Sequence, residues 1–422
     1  LQRVSRRVLA LIVSIASIVI GAGSADAGES AREVRIGALL SLTGDGATLG
    51  NTSKAALEIA ARRWNASDRG KRLKVVLDIE NTDLNPEQAQ AALTRLADRG
   101  VRIVVGPQSS SEVAAITDQA NARGVILVSQ GSTASSLAQP DDNVFRFVPT
   151  DRVEGRASVD LMLENGASTI IPMWRNDRGN VGLAESVRAA ATASGATVAP
   201  GVQYEPDTTD FTTVLSDLNA QLQSSVTGAE RDKVAVYLAG FEEVADALST
   251  ARTVTGLDGV RWYGGDGSAQ TKALLASGPA TFATSAQVRG YPSPLVALPA
   301  NQAKKDAELL SQISERAKAT ADAFTLAAYD AFNVAARALA DTRADADGVT
   351  LRAAFAAQAD GAKGATGTIR LDAAGDRVST PYVFWSVCQR EDEDPRWRDT
   401  GRWTPAADPV APGRVQAKAC PK

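Results

Sequence analysis

The chain of 422 residues contains no histidine, two cysteines and two methionines. Without imidazole there is no Ser-His-Asp or Cys-His nucleophile, no imidazole acid or base, and no His-ligated metal centre. Two thiols are too few for a four-cysteine zinc site or an iron–sulfur cluster. An excess of positive charge is also missing. Lys and Arg number 45 against 49 Asp and Glu, a formal net charge of −4, so the basic footprint of a nucleic-acid-binding protein is absent. The sequence holds no G-x-G-x-x-G, no G-x-x-x-x-G-K-[ST], no G-x-S-x-G and no S-x-x-K, which removes the common nucleotide and serine-nucleophile signatures. Nothing in it argues for an enzyme, a cofactor or a metal.

What is present is ordinary globular material, 44% hydrophobic and 22% charged. At roughly 150 residues per domain the length suits two domains or one large one. The first 27 residues read differently. Arg3, Arg6 and Arg7 precede an apolar run at 8–20, and Ala25-Asp26-Ala27 follows. This is the pattern of a cleaved secretory signal peptide, and the run is short of the ~20 residues that span a bilayer. No cysteine near the cleavage site offers a lipid anchor, so a soluble exported product starting at Gly28 is expected. Its loss of three Arg and Asp26 changes the net charge from −4 to −4 − 2 = −6.

In an exported protein Cys388 and Cys420 are expected to pair, worth about 3–4 kcal/mol in the chain-entropy description. The enclosed stretch 389–419 is polar, carries prolines and shows no hydrophobic period, so it reads as an extended tail that the bridge pins down.

From Val34 onward apolar strands alternate with amphipathic helices. Strands are expected at 34–40, 74–79, 101–105 and 125–129, with helices at 86–99 and 110–123 and one around Ala56, Ile59, Ala60 and Trp64. After Asp141-Asp142-Asn143 and a strand at 144–148 the pattern restarts. Helices at 151–165, 181–194, 211–223 and 242–254 then alternate with strands at 168–173, 197–203, 233–238 and 260–264. Strands apolar on both faces between helices make parallel, doubly wound sheets. Long Ala-rich helices follow near 306–318 and 321–343, with late strands at 367–371 and 382–387. The first unit lacks helices to cover its sheet, so the late ones are expected to return to it. The fold class is α/β, two doubly wound domains joined by about three crossings. The lobes are drawn as 28–147 plus 293–366 and 148–292 plus 367–387, with a tail at 388–422.

Three loops at strand ends carry chemistry. Gly106-Pro107-Gln108-Ser109-Ser110-Ser111 leads from a strand into a helix, where free N–H groups and hydroxyls suit a carboxylate or phosphate. Plain helix capping by Ser109 or Ser110 explains the same residues. Ser129-Gln130-Gly131-Ser132-Thr133-Ala134-Ser135-Ser136 places a second hydroxyl-rich loop at the same sheet edge. Gly264-Gly265-Asp266-Gly267-Ser268 ends a strand of the second unit. Asp266 there is either a turn former or the acceptor for a cation, among glycines that allow close backbone approach.

With these loops the sequence resembles the type I periplasmic solute-binding proteins of ABC importers, in the branched-chain amino acid-binding group. The likeness opens at Val34-Arg35-Ile36-Gly37-Ala38-Leu39-Leu40-Ser41-Leu42-Thr43-Gly44. It passes through both serine loops and Asp210-Phe211-Thr212, and ends with Gly367-Thr368-Ile369-Arg370-Leu371-Asp372-Ala373-Ala374-Gly375-Asp376, so that it spans nearly all of the exported chain. It implies a two-lobed, monomeric clamshell that binds an amino acid or related small polar solute in the periplasm and hands it to an inner-membrane ABC permease. A sensory subunit acting on a membrane receptor is the alternative. By position it implies that Ser109 or Ser110, the carbonyl of Gly131, neighbouring Ser132 and Thr133 hold the ligand's charged end. Asp266 would pair with its ammonium and Phe241 would cover it. Gly179 stands where the family often has Tyr or Trp, beside Arg178, which is placed to contact an acidic ligand group. Thr48-Leu49-Gly50 replaces a common aromatic. The ligand itself stays open among leucine-like, acidic, amide and aromatic compounds.

Overall fold

A computed structural model describes residues 31–420 apart from 226–227, 286, 300–305, 379 and 409. The expected leader at 1–27 lies outside the described residues. The chain runs β1 (Arg32–Leu40), α1 (Ala47–Ala66), β2 (Leu73–Asn81), α2 (Pro86–Asp98), β3 (Ile103–Val105), α3 (Ser110–Arg123), β4 (Ile126–Ser129) and β5 (Val144–Arg146). These five strands form one parallel sheet in the order β2-β1-β3-β4-β5. Ile36, Ala38, Leu40, Val105 and Val128 point to one face, and Leu39, Val104 and Leu127 to the other, all buried. Burial on both sides is why these strands read as unbroken apolar runs.

The second lobe begins with α4 (Asp151–Glu164), β6 (Thr169–Arg175), α5 (Arg178–Ala193), β7 (Thr197–Val198), β8 (Val202–Tyr204), α6 (Thr212–Ser225), β9 (Val234–Ala239), α7 (Val244–Ala251), β10 (Arg261–Gly264) and α8 (Ser277–Ala283). Its sheet has the order β10-β9-β6, with β7 and β8 both on the free side of β6. The single strand expected at 197–203 is therefore two. Pro172 of β6 has no N–H for a ladder bond. The chain opposite it bulges at Gly201, whose φ of +76° suits glycine and whose missing Cβ would sit 2.2 Å from the Pro172 carbonyl oxygen.

After β11 (Ser293–Val296) come α9 (Ala307–Ala317), α10 (Ala323–Asp341) and α11 (Gly348–Ala359). Helix α10 packs on α1, β1 and β3 in the first lobe's core, the return that the shortage of helices predicts. Helix α11 was not among the expected elements. Asp347 caps it, accepting from the Thr350 N–H at 2.7 Å.

The expectations for the last sixty residues need correction. Only Gly367–Thr368 (β13) is strand within 367–371, in a small hairpin with Lys363–Gly364 (β12). Ile369 is buried in the first lobe's core, so the third crossing lies beyond it rather than at 367. The stretch after Cys388 is not a loose tail. β14 (Tyr382–Cys388) pairs antiparallel with β11 and with β15 (Arg396–Thr404), and β15 pairs with β16 (Arg414–Ala417). This third sheet packs on the second lobe. Trp403 is fully buried and its indole N–H donates to Asp160 at 2.7 Å, while Trp397 joins the core of β9 and β10. The Cys388–Cys420 disulfide is formed and closes the unit.

Arg146 and Asp376 join the first and third crossings. Their backbones bridge in parallel, and the Arg146 Nε donates to Asp376 at 2.5 Å with a second guanidinium contact beside it. Among the described residues no helix is long and apolar enough to cross a membrane.

Candidate functional site

In an open parallel sheet the chain diverges at the point where strand order reverses, and ligands settle outside the carboxyl ends there. The reversals fall between β1 and β3 in one sheet and between β6 and β9 in the other. The loops following these strands face one another across a cleft of about 770 Å³, its mouth included. The first lobe contributes Asp45, Thr48 and Leu49 after β1, Ser109 and Ser110 after β3, and Gly131 and Thr133 after β4. The second contributes Gly179 and Asn180 at the start of α5, Phe241 and Glu242 after β9, and Asp266, Gly267, Gln270 and Thr271 after β10. Asp322 and Phe324 enter from α10.

Six of the seven residues expected at the ligand, Ser109, Ser110, Gly131, Thr133, Phe241 and Asp266, line this cleft together. Ser132 is fully buried and is not among its lining residues; its hydroxyl lies 3.0 Å from that of Ser110. Ser109 is committed to capping α3. Its hydroxyl donates to Glu112 at 2.6 Å and accepts from the Glu112 N–H at 3.3 Å, closing a capping box. The Ser110 hydroxyl accepts from the Ala134 N–H at 3.1 Å as well as meeting Ser132, so the free N–H groups of the first turn of α3, with Thr133 beside them, are what this wall offers an anion. Arg178 does not line the cleft, so the acidic-ligand contact raised for it is not where the side chain sits. It reaches the other lobe at the rim, where its N–H donates to Ser111 at 3.1 Å and its guanidinium to Ser136 at 3.4 Å.

The opposite wall is acidic. The Asp266 N–H donates to Glu154 of α4 at 2.9 Å. Burial pushes the Glu154 carboxyl well above its usual range, and the neighbouring Asp266 adds to the shift. Burial also raises Asp266 to about 6, although a hydrogen bond from Glu154 pulls it down. Asp151, one turn before Glu154, is pushed up to about 7 by the same loss of water. Asp266, held lower than Asp151, presents the more readily ionised of these two carboxyls to the cleft. Gly267 permits this arrangement: a Cβ there would lie 2.8 Å from both the Gly240 carbonyl oxygen and the Phe241 ring.

The lobes are closed on one another. The Arg175 guanidinium, stacked 5.4 Å over Phe241, pairs with Asp45 of the first lobe at 2.7 Å and with Glu243 of its own at 3.3 Å. Glu242 accepts from the Thr48 N–H at 2.8 Å. The Asp45 side chain is one-third exposed, and such pairs are worth about 0.2–1 kcal/mol. Asp45→Asn is therefore expected to weaken ligand binding by about 1.4- to fivefold, because the bound form is the closed one. Titration calorimetry checks this, and unchanged affinity would show that this pair does not hold the closed state.

Sequence reasoning missed Asp45, Glu154, Asp151, Glu242, Gln270, Thr271 and Asp322. Asp151 and Glu154 look like the acidic first turn of any helix, and Asp322 like a plain N-cap of α10, which it also is, accepting from the Thr325 N–H at 2.7 Å.

The sequence profile of the periplasmic binding protein family matches residues 33–391. The chain belongs to that family. Within it the chain is similar to proteins named for binding branched-chain amino acids. It is 27% identical to a Leu/Ile/Val-binding protein homologue of Brucella melitensis over 76% of this chain and 82% of the relative. It is 24% identical to the leucine-, isoleucine-, valine-, threonine- and alanine-binding protein of Pseudomonas aeruginosa over 91% of this chain and 95% of the relative. Among solved structures, a leucine-binding protein from Thermotoga maritima superposes with a TM-score of 0.70 at 21% identity, covering 86% of this chain and 97% of the other. The relatives that these names describe are solute-binding proteins, and the clamshell described above is theirs in architecture.

Proposed function

We propose that this protein captures an amino acid in the periplasm and delivers it to an ABC permease. The observation that carries the reading is the polarity of the cleft. One wall offers the free N–H groups of α3 with Ser110 and Thr133, a setting for a carboxylate. The facing wall offers Asp266 with Glu154 behind it, a setting for an ammonium. A zwitterion bridges the two, and closing over it places Phe241 against its body. A ligand that binds only the closed form shifts the hinge equilibrium toward it, which gives a permease two states to distinguish. The names borne by the relatives favour amino acids as the ligand class.

A thermal-shift screen of the twenty amino acids tests this, since a ligand specific to the folded state adds about 2.7 kcal/mol of stability at 100 times its Kd. At least one amino acid is expected to raise the melting temperature by several degrees. A flat response to all of them would overturn the reading.

A further inference from the structure

We propose, building on the amino-acid reading above, that the cleft is made for a solute with a second cationic group. Asp322, Gln270 and Thr271 form the subsite that receives it. The ligand class is a basic α-amino acid rather than a branched-chain one.

The charge inventory leads there. Four carboxylates line the cleft, from Asp45, Glu242, Asp266 and Asp322, and among the described residues no Lys or Arg lines it. Arg175, just behind the rim, answers Asp45. Glu242, Asp266 and Asp322 have no cation opposite them among the cleft residues. One α-ammonium answers one of these charges. A neutral side chain would leave the rest buried beneath the closed lobes without a counter-charge, an arrangement that costs free energy.

Gln270 and Thr271 supply an independent sign. Both line the cleft, at 6% and 4% exposure, and the Gln270 Oε1 and Thr271 Oγ1 atoms are buried without a partner. Buried acceptors are normally satisfied, so these await a donor. Gln270 is held there at a φ of +62°, uncommon for a residue other than glycine. The Thr271 carbonyl is anchored by the Trp397 indole at 2.9 Å. Asp322 is close enough to Asp266 to raise its pKa by charge repulsion. An ammonium or guanidinium at the end of an aliphatic stem meets all three groups, with the stem against Phe241 and Phe324. Among the described residues no group of three or more acids is arranged to hold a metal ion.

The test is calorimetric titration of the full protein and two variants with L-lysine, L-arginine and L-leucine. Lysine or arginine is expected to bind at least tenfold tighter than leucine. Asp322→Asn, which retains a good helix cap, and Gln270→Leu are each expected to cut that preference about tenfold while thermal melts remain cooperative. Leucine binding as tightly as the basic amino acids would overturn the inference and leave the amino-acid reading standing. A preference for basic ligands that both variants leave unmoved would overturn the subsite. Failure of all three ligands together with a flat amino-acid screen would remove the reading itself.

Discussion

Asp376→Ala is expected to destabilise the protein by about 3–5 kcal/mol, the cost of stranding one member of a buried ion pair. Asp376 and Arg146 are both about 1% exposed, and their side chains meet through two guanidinium contacts. Burial alone pushes the Asp376 carboxyl up, and Arg146 is what draws it back. Removing the carboxylate leaves the Arg146 guanidinium with the Ala134 carbonyl at 2.6 Å as its other acceptor, in a place water does not reach. Asp376→Asn keeps an acceptor and the shape, and should lose less. Denaturant unfolding with unchanged slope and a lowered midpoint is the expected readout. A loss below about 1 kcal/mol would mean that the crossing relaxes and admits water. The pair also ties β5 to the third crossing, so a variant that folds is expected to bind ligand less tightly as the hinge loosens.

The two parallel sheets were legible in the sequence because their strands are apolar on both faces: Ile103 to Val105 and Val234 to Ala239 are buried at every position. The loops of the site were legible for a related reason. After such a strand a run of Gly, Ser and Thr has no packing role, so Gly131 to Thr133 and Gly264 to Gly267 stand out. The last sheet was not legible. Along β15 the buried residues Trp397, Thr400, Gly401 and Trp403 alternate with Arg396, Arg398, Asp399 and Arg402. A register shift opposite Phe384 and Trp385 then breaks the two-residue period. Half-buried antiparallel strands with so many charges read as tail until the partner strand is known. The acids at the back of the cleft were hidden by their ordinariness. Nothing local separates Asp151 and Glu154 from any helix start. Only the fold, by bringing α4 against the loop after β10, turns them into neighbours of Asp266.

That neighbourhood makes the response of binding to acid the other large effect. Asp266→Asn is expected to weaken binding of an amino acid by roughly one to two decades, because charge-assisted bonds in a closed site are worth about 1.5–3 kcal/mol and 1.4 kcal/mol is tenfold. Asparagine forms the same turn, so a simple turn former would show no loss. The pH profile separates the two roles further. In the free cleft burial holds Asp266 at about 6. A bound ammonium favours the ionised carboxylate and lowers that pKa, so binding below pH 6 must expel a proton. Affinity is then full above about pH 7 and falls as pH drops through 6, by up to tenfold per unit. The groups facing Asp266 are Glu154 and Asp151 from α4, Asp322 from α10 and Tyr237 from β9. Burial raises all four, so Tyr237 stays protonated through this window while Asp151, at about 7, titrates beside it. Calorimetry between pH 5 and 8, in two buffers of different ionisation heat, reads both the affinity and the proton released. In Asp266→Asn the proton release owed to Asp266 should be lost, leaving the weaker response of Asp151, which itself moves below 7 once the Asp266 charge is gone. A variant with wild-type affinity and an unchanged proton count would place the ammonium elsewhere in the cleft.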